Sequence, residues 1–186
     1  GSGRSEKPDM DYSIAMLADD TAALMDHVGF STAHIIGVSM GGMIAQEFAL
    51  RHPQKLRALV LGCTTPGGSH AVPLSGGALA RAYSTQPMSA EERGRALAEA
   101  CFTKGYIETH PEVVPAMIEA RRQRPIDPVA LGHRMKAAHT HDTYDRLPRI
   151  TAPTLVITGK DDVLISWENS RILAECIPGA KSVLLE

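Results

Sequence analysis

Between Ile14 and Val28 the positions Ile14, Leu17, Ala18, Thr21, Leu24, Met25 and Val28 fall on one face at the 3.6-residue period, and Gly29 is placed to stop that helix. The pattern then changes. His34-Ile35-Ile36-Gly37-Val38 is short, β-branched and apolar, the signature of a buried strand. Ser39 ends it, and Met40 to Leu50 returns to helical spacing through Met43, Ile44 and Phe48. Arg51-His52-Pro53 closes that helix, because proline disfavours helical geometry in the residue before it. Leu56 to Gly62, centred on Leu59-Val60-Leu61, predicts a second buried strand.

Strand, helix and strand in about 30 residues make a βαβ unit, the building block of parallel sheets. A second copy closes the chain: strand Thr154–Thr158, helix Trp167–Ile177 stopped by Pro178-Gly179, and strand Ser182–Leu185. The 91 residues from Cys63 to Pro153 between the two units far exceed the dozen that a parallel crossover needs. Most of that stretch is therefore an insertion, and it reads as helical. Ser89-Ala90-Glu91-Glu92 is a capping box ahead of Ala96, Leu97, Ala100 and Cys101. Pro111 is expected at the first position of a helix carrying Val113, Val114, Met117 and Ile118, and Asp127-Pro128 opens another running toward His139. Pro66-Gly67-Gly68-Ser69 is the flexible exit from the sheet, and the interior Pro115 and Gly132 leave helix boundaries loose.

Composition narrows the class without choosing a function. At about 150 residues per domain, 186 residues make one domain, or one with an insertion. An apolar fraction of 44% and a charged fraction of 22% exclude a disordered tail protein. The net charge of −2, with no like-charge run longer than Arg121-Arg122, leaves no electrostatic footprint for nucleic acid or an anionic membrane. The longest apolar runs are strand-length, so no span of a bilayer and no signal peptide is expected. Cys63, Cys101 and Cys176, odd in number and widely spaced, fit reduced thiols in a cytoplasm.

The chemistry concentrates at Gly37-Val38-Ser39-Met40-Gly41-Gly42, a G-x-S-x-G pattern lying directly after a strand and directly before a helix. A serine on so sharp a turn is held strained, with its hydroxyl pushed out above the sheet. Gly37 and Gly41 are read as residues that must lack bulk because their backbones come close. The helix N-terminus supplies partial positive charge, and the Met40 N–H is placed to donate to a developing oxyanion. A serine hydroxyl needs a base, and the base needs an orienting carboxylate. Asp162, just past the carboxyl end of the strand in Leu155-Val156-Ile157-Thr158-Gly159-Lys160-Asp161-Asp162, is the candidate, with Asp161 its rival. None of the eight histidines stands out: His27, His34 and His52 lie at element ends, while His70, His110, His133, His139 and His141 lie in the insertion. His139-Thr140-His141 is not metal spacing on a helix, since i and i+2 point apart. The thiols read as small apolar side chains, with no basic neighbour to make a nucleophile of any of them.

Two stretches, GVSMGGMIAQEFALRHPQKLRALVL and APTLVITGKDDVLIS, resemble the α/β-hydrolase fold superfamily, in the branch of enol-lactonases, small esterases and cofactor-free haloperoxidases. The resemblance covers nearly the whole chain, and the opening GSGRS resembles the end of that family's R-G-x-G-x-S loop. It implies a partial α/β-hydrolase: a mostly parallel sheet flanked by helices, with a helical cap inserted between the two βαβ units. Residues 1–65 would be the first part of the core, 66–148 the cap and 149–186 the remaining core. It also implies a Ser-acid-His order in which Ser39 is nucleophile and Asp162 the acid, without cofactor or metal. No histidine follows His141, so the triad histidine is expected beyond Glu186, a His-Gly oxyanion loop before Gly1, and the chain is expected to be cut at both ends. The implied substrate is a small ester or lactone, and the 186-residue chain alone is expected to lack turnover. A second reading, of another class, is a binding protein that keeps the fold without catalysis.

Overall fold

Our computed structural model describes residues 1–73, 77, 80, 81, 84 and 86–186. Helix α1 spans Ile14–His27, and the Ser13 hydroxyl meets one of its unpaired donors by accepting from Met16 N. Strand β1 (Ala33–Val38) runs through Ser39 into α2 (Met40–Arg51), and a short 3-10 turn at Pro53–Lys55 leads into β2 (Leu56–Gly62). Far along the chain come β3 (Thr154–Gly159) and β4 (Lys181–Leu185). The four strands pair in the order β1-β2-β3-β4, all parallel. Val38 pairs with Gly62, and Gly62 with Ile157, so three carboxyl ends reach one edge of the sheet together.

Leu59, Leu61 and Val156 turn toward Ala45 and Ala49 of α2 and toward Leu173 and Ile177 at the second crossover helix. Leu147 and Ile150, at a 3-10 turn spanning Tyr144–Arg149, complete the cluster. Full burial of one such leucine or isoleucine is worth about 1.5–3 kcal/mol, so this layer fixes the sheet on its helices. Strand β1 is not buried on both sides as its apolar run predicts. The pleat sends Ile35 toward the helices, while Ile36 and Val38 point the other way and are 72% and 61% exposed.

The insertion is helical as expected: α3 (Ala90–Cys101), α4 (Lys104–Thr109), α5 (Val113–Gln123) and α6 (Pro128–His139). The crossover helix between β3 and β4, Trp167–Cys176, is α7. The Ser89–Glu92 capping box forms, with Ser89 Oγ accepting from Glu92 N at 3.1 Å and Glu92 accepting from Ser89 N at 2.8 Å. Asp127 caps α6 through Ala130 N at 2.9 Å. Pro111 does not open α5: the helix starts two residues later, and it is Pro115 that lies in its first turn, where a missing N–H costs nothing. Helix α4, capped by Thr103, has no counterpart in the sequence reading.

Leu97, Ala100 and Met117 of the insertion pack against Leu164, which lies two residues past Asp162. Ala137 of α6 packs on Tyr12, Ile14 and Met43, so the insertion also reaches the first turn of α2. Its two roots are tied by a buried polar network. Gln46 Nε2 donates to Thr65 O at 3.1 Å, and its Oε1 accepts from Thr143 Oγ1 at 2.6 Å. Thr143 N donates to Pro66 O at 2.9 Å. Asn169 holds the exit segment, accepting from Val72 N at 2.9 Å and donating to Val72 O at 3.0 Å. Unpaired, these buried amides would each be costly, and paired they fix where the insertion leaves and rejoins the sheet.

Candidate active site

Ser39 has φ 55° and ψ −124°, a left-handed backbone for a residue with a Cβ. Such a conformation costs about 1–3 kcal/mol and persists only where the surroundings impose it. Here they do. Ser39 N donates to Gly62 O at 3.0 Å, and Ser39 O accepts from Gly42 N at 2.8 Å, Met43 N at 3.3 Å and Thr64 Oγ1 at 2.8 Å. The residue is exposed, and its hydroxyl makes no capping bond to α2. The structure therefore places the alcohol outward at the strand–helix corner. Among the described residues, Met40 N–H donates to no backbone carbonyl, as the first amide of a helix does when nothing caps it.

The glycines divide differently from the sequence reading. A Cβ on Gly37 would come within 2.2 Å of Gly41 O, so no side chain fits there. A Cβ on Gly41 would meet nothing within 4 Å, so its expected steric role fails: Gly41 presents its carbonyl, not its α-carbon, to Gly37. The second close approach belongs to Gly42, where a Cβ would fall 2.5 Å from Thr64 Cβ. Gly42 and Thr64 together seat α2 against the exit of β2. The glycine doublet was visible in the sequence; which of the two is pressed depends on helix phase relative to β2.

Asp162 lies three residues beyond β3 at the same edge. Its Oδ1 accepts from Leu164 N at 2.8 Å and Ile165 N at 2.9 Å, and Asp162 N donates to Gly159 O at 3.3 Å. The side chain is half-buried, whereas Asp161 is exposed. Ser39 and Asp162 follow β1 and β3, two strands that β2 separates and that lie two strand spacings, or about 10 Å, apart. Among the described residues no hydrogen bond joins the two directly.

Cys63 occupies the gap. It follows β2 with φ 44°, and its N–H donates to Ile157 O at 3.0 Å. Burial and the Asp162 carboxylate push its thiol pKa up, against weaker help from Gly159 and Thr158. Cys101, at the end of α3, is exposed, and partial desolvation and then Asp162 also push its thiol up. Both sulfurs are thus thiols rather than thiolates at neutral pH.

Each histidine has a place of its own. His52 contacts Asp19 at 2.7 Å and His133 contacts Asp9 at 2.8 Å. His70 stacks on Tyr144 and His110 on Tyr106, while His27, His34 and His139 are exposed. His141 is the exception, 4% exposed, with neither ring nitrogen bonded. Burial drives its pKa down to about 4, with Glu47, Arg146 and Asp142 nearby. It sits at the insertion's root, where Gly68 N donates to its carbonyl at 3.1 Å. Among the described residues, no cluster of three or more His, Cys, Asp or Glu is arranged to hold a metal. No helix of the described residues is long and apolar enough to cross a membrane.

A parallel sheet with an exposed, left-handed serine between strand and helix defines a class, and the sequence comparisons define the same one. The chain belongs to the alpha/beta hydrolase fold family, whose model matches residues 1–186. It is 33% identical over 200 residues to the "Putative carbamate hydrolase RutD" of Pseudomonas savastanoi pv. phaseolicola, covering 100% of this chain and 71% of that protein. It is 28% identical to 3-oxoadipate enol-lactonase 2 of Acinetobacter baylyi, covering 100% of this chain and 67% of the relative. Among solved structures it resembles the enol-lactonase of Burkholderia xenovorans LB400, with a TM-score of 0.85 at 27% identity over 100% of this chain and 69% of that one.

Proposed function

We propose that this chain carries the nucleophile and the acid of a serine hydrolase that cleaves carboxylic ester or lactone bonds in a small substrate. The observation that carries the reading is Ser39 itself: a strained, exposed alcohol, pinned through its backbone while its side chain stays unbonded, beside an unused helix N–H. The relatives named as enol-lactonase and carbamate hydrolase support hydrolysis at an acyl carbon.

In this reading Ser39 Oγ attacks the carbonyl carbon while a histidine takes its proton. That histidine lies outside residues 1–186, since the eight within them are engaged elsewhere, exposed or buried at the insertion's root. Asp162, its Oδ1 held by two backbone amides, orients the imidazole. Met40 N–H stabilises the oxyanion of the tetrahedral intermediate. The intermediate collapses to an acyl-Ser39 as the histidine returns the proton to the leaving alkoxide, and water then releases the acid. Neither cofactor nor metal takes part. Residues 1–65 and 149–186 act as the core and 66–148 as a cap over it, and the three free thiols fit a reducing compartment.

The test is covalent. The full-length protein, treated with a fluorophosphonate, is expected to carry one adduct, on the peptide containing Ser39, and to release a burst from a short-chain aryl ester. Labelling elsewhere, or a burst that survives Ser39→Ala, removes Ser39 from the role. The 186-residue chain alone is expected to show no triad-dependent turnover.

A further inference from the structure

Ser2, Gly3, Arg4 and Ser5 at the start of the chain, with Arg124 at the carboxyl cap of α5, line an open cleft of about 460 Å³. That volume falls within the range of small-molecule sites. The four opening residues form a turn in which Ser5 N donates to Ser2 O at 3.1 Å and Gly3 takes φ 59°. Two further cations hold that turn. Lys7 Nζ donates to Gly3 O at 2.9 Å and to Ser5 O at 3.2 Å, and Arg134 Nη1 of α6 donates to Ser2 Oγ at 3.2 Å.

None of these four cations has a counter-ion among the described residues. Ten of the 19 lysines and arginines pair with a carboxylate, and four of the remaining nine meet at this cleft. The acids of the same segment do not neutralise them. Asp9 pairs with His133 and Asp11 with Lys136, while Glu6 is exposed and forms no ion pair among the described residues. Arg4 and Arg124 are freer still: both are exposed, and among the described residues their guanidiniums donate no hydrogen bond. The carboxyl end of α5 attracts cations, which accounts for Arg124 but not for charges brought by three separate segments. Like charges gathered in this way repel one another, and a bound anion of high charge removes that cost.

We propose that this cleft binds a phosphate group, held by the guanidiniums of Arg4 and Arg124 with the hydroxyls of Ser2 and Ser5 as further donors, in the field of Lys7 and Arg134. Each guanidinium offers an oxyanion two parallel N–H bonds. Ser2 Oγ accepts from Arg134, which leaves its O–H to donate. A phosphate group carries about −1.5 to −2 charges at neutral pH and three or more acceptor oxygens, enough to occupy two forks at once. A carboxylate, with one charge and two oxygens, fills a single fork. The phosphate belongs either to the free ion or to a small phosphomonoester. Neither Ser39 nor Asp162 lines the cleft, so the inference stands apart from the hydrolase reading.

Calorimetric titration of the full-length protein at low ionic strength, with orthophosphate against acetate as the monovalent control, tests the site without turnover. Orthophosphate is expected to bind at least tenfold tighter than acetate, and more weakly as salt is raised. The double variant Arg4→Gln, Arg124→Gln is expected to lose that preference. Arg57→Gln, which removes an exposed arginine of β2 outside the cleft, is expected to keep it. Orthophosphate that binds no tighter than acetate overturns the proposal. So does a double variant, folded by circular dichroism, that binds orthophosphate like the parent, or a loss in Arg57→Gln as deep as in the double variant. Phenyl phosphate separates the sources: tighter binding than orthophosphate assigns the group to a monoester, and binding no tighter assigns it to the free ion. A protein that binds phosphate but cleaves no ester keeps this inference and loses the hydrolase one.

Discussion

Ser39 and Cys63 stand one residue past the ends of neighbouring strands, and they are the two non-glycine residues with left-handed backbones among those described, at φ 55° and 44°. Their surroundings differ. Ser39 is gripped through N–H and C=O while its side chain faces outward. Cys63 is gripped through its N–H, and its half-buried thiol has its pKa pushed up by burial first and by the Asp162 carboxylate second. The same left-handed backbone leaves one side chain exposed and the other half-buried near a carboxylate. Strain marks this edge of the sheet; in the proposed mechanism burial and the neighbouring carboxylate keep the thiol from serving as nucleophile and leave that part to the serine.

The sharpest way to break that contrast is to remove each group in the full-length protein. Ser39→Ala is expected to lower kcat on an aryl ester by a factor on the order of 10⁶, as loss of a triad serine does elsewhere. Cys63→Ala should leave turnover within about tenfold, because a thiol held beside a carboxylate supplies no thiolate. A Cys63→Ala loss as deep as that of Ser39→Ala would exchange the two roles. Next comes the acid. Asp162→Asn is expected to cost about 10⁴-fold in kcat by failing to hold the imidazole tautomer, and Asp161→Asn only a few-fold. Steady-state rates of the two variants decide between them, and the reverse order moves the acid by one position.

The corner at Ser39 was legible in the sequence because its causes are local: a β-branched run, two glycines and a helical period meet within ten residues. The parallel sheet was legible for the same reason, repeated. What was not legible depends on contacts between distant residues. Gly41 and Gly42 are adjacent, and only the seat of Thr64 beneath α2 shows that Gly42 is the pressed one. Gln46 reads as an ordinary helix residue until Thr65 and Thr143 close on it from both roots of the insertion. Cys63 reads as the apolar end of a strand, and Asp162, 99 positions later, makes it otherwise. Pro111 fits a helix start by local preference, yet α5 begins after it.

Away from the sheet edge, the root of the insertion offers a titration that the edge does not. His141 has a folded pKa lowered to about 4 from an ordinary 6.5, by burial first. Above 6.5 it is neutral folded and unfolded, and contributes no pH dependence. As pH falls from 6.5 toward 4 the unfolded chain takes up the proton and the folded chain does not, so stability drops by about 3 kcal/mol across that window. Urea midpoints measured from pH 7 to pH 4 should fall accordingly, and His141→Gln should flatten that limb. Esterase activity at pH 7 should be indifferent to the change of root. A limb that stays equally steep in His141→Gln would assign the acid sensitivity to another group.

The smallest expected effect returns to the two strained residues. Replacing either by glycine relieves the left-handed backbone, worth about 1–2 kcal/mol, and returns about 0.5–1 kcal/mol through the freer unfolded chain. At Ser39 nothing else is lost, because the side chain is exposed and unbonded. Ser39→Gly should therefore stabilise the protein by about 0.5–1 kcal/mol while abolishing turnover, the trade expected where a strained residue serves function. At Cys63 a half-buried thiol is lost as well, and Cys63→Gly should come out neutral to within about 0.5 kcal/mol. In a protein of this size, 1 kcal/mol moves Tm by about 2–4 °C, which a calorimetric scan resolves. Equal gains at both sites would mean that the Cys63 side chain contributes nothing to packing. A loss at Ser39 would mean that its backbone is not strained, and that the serine is held outward by something other than the four hydrogen bonds around its peptide groups.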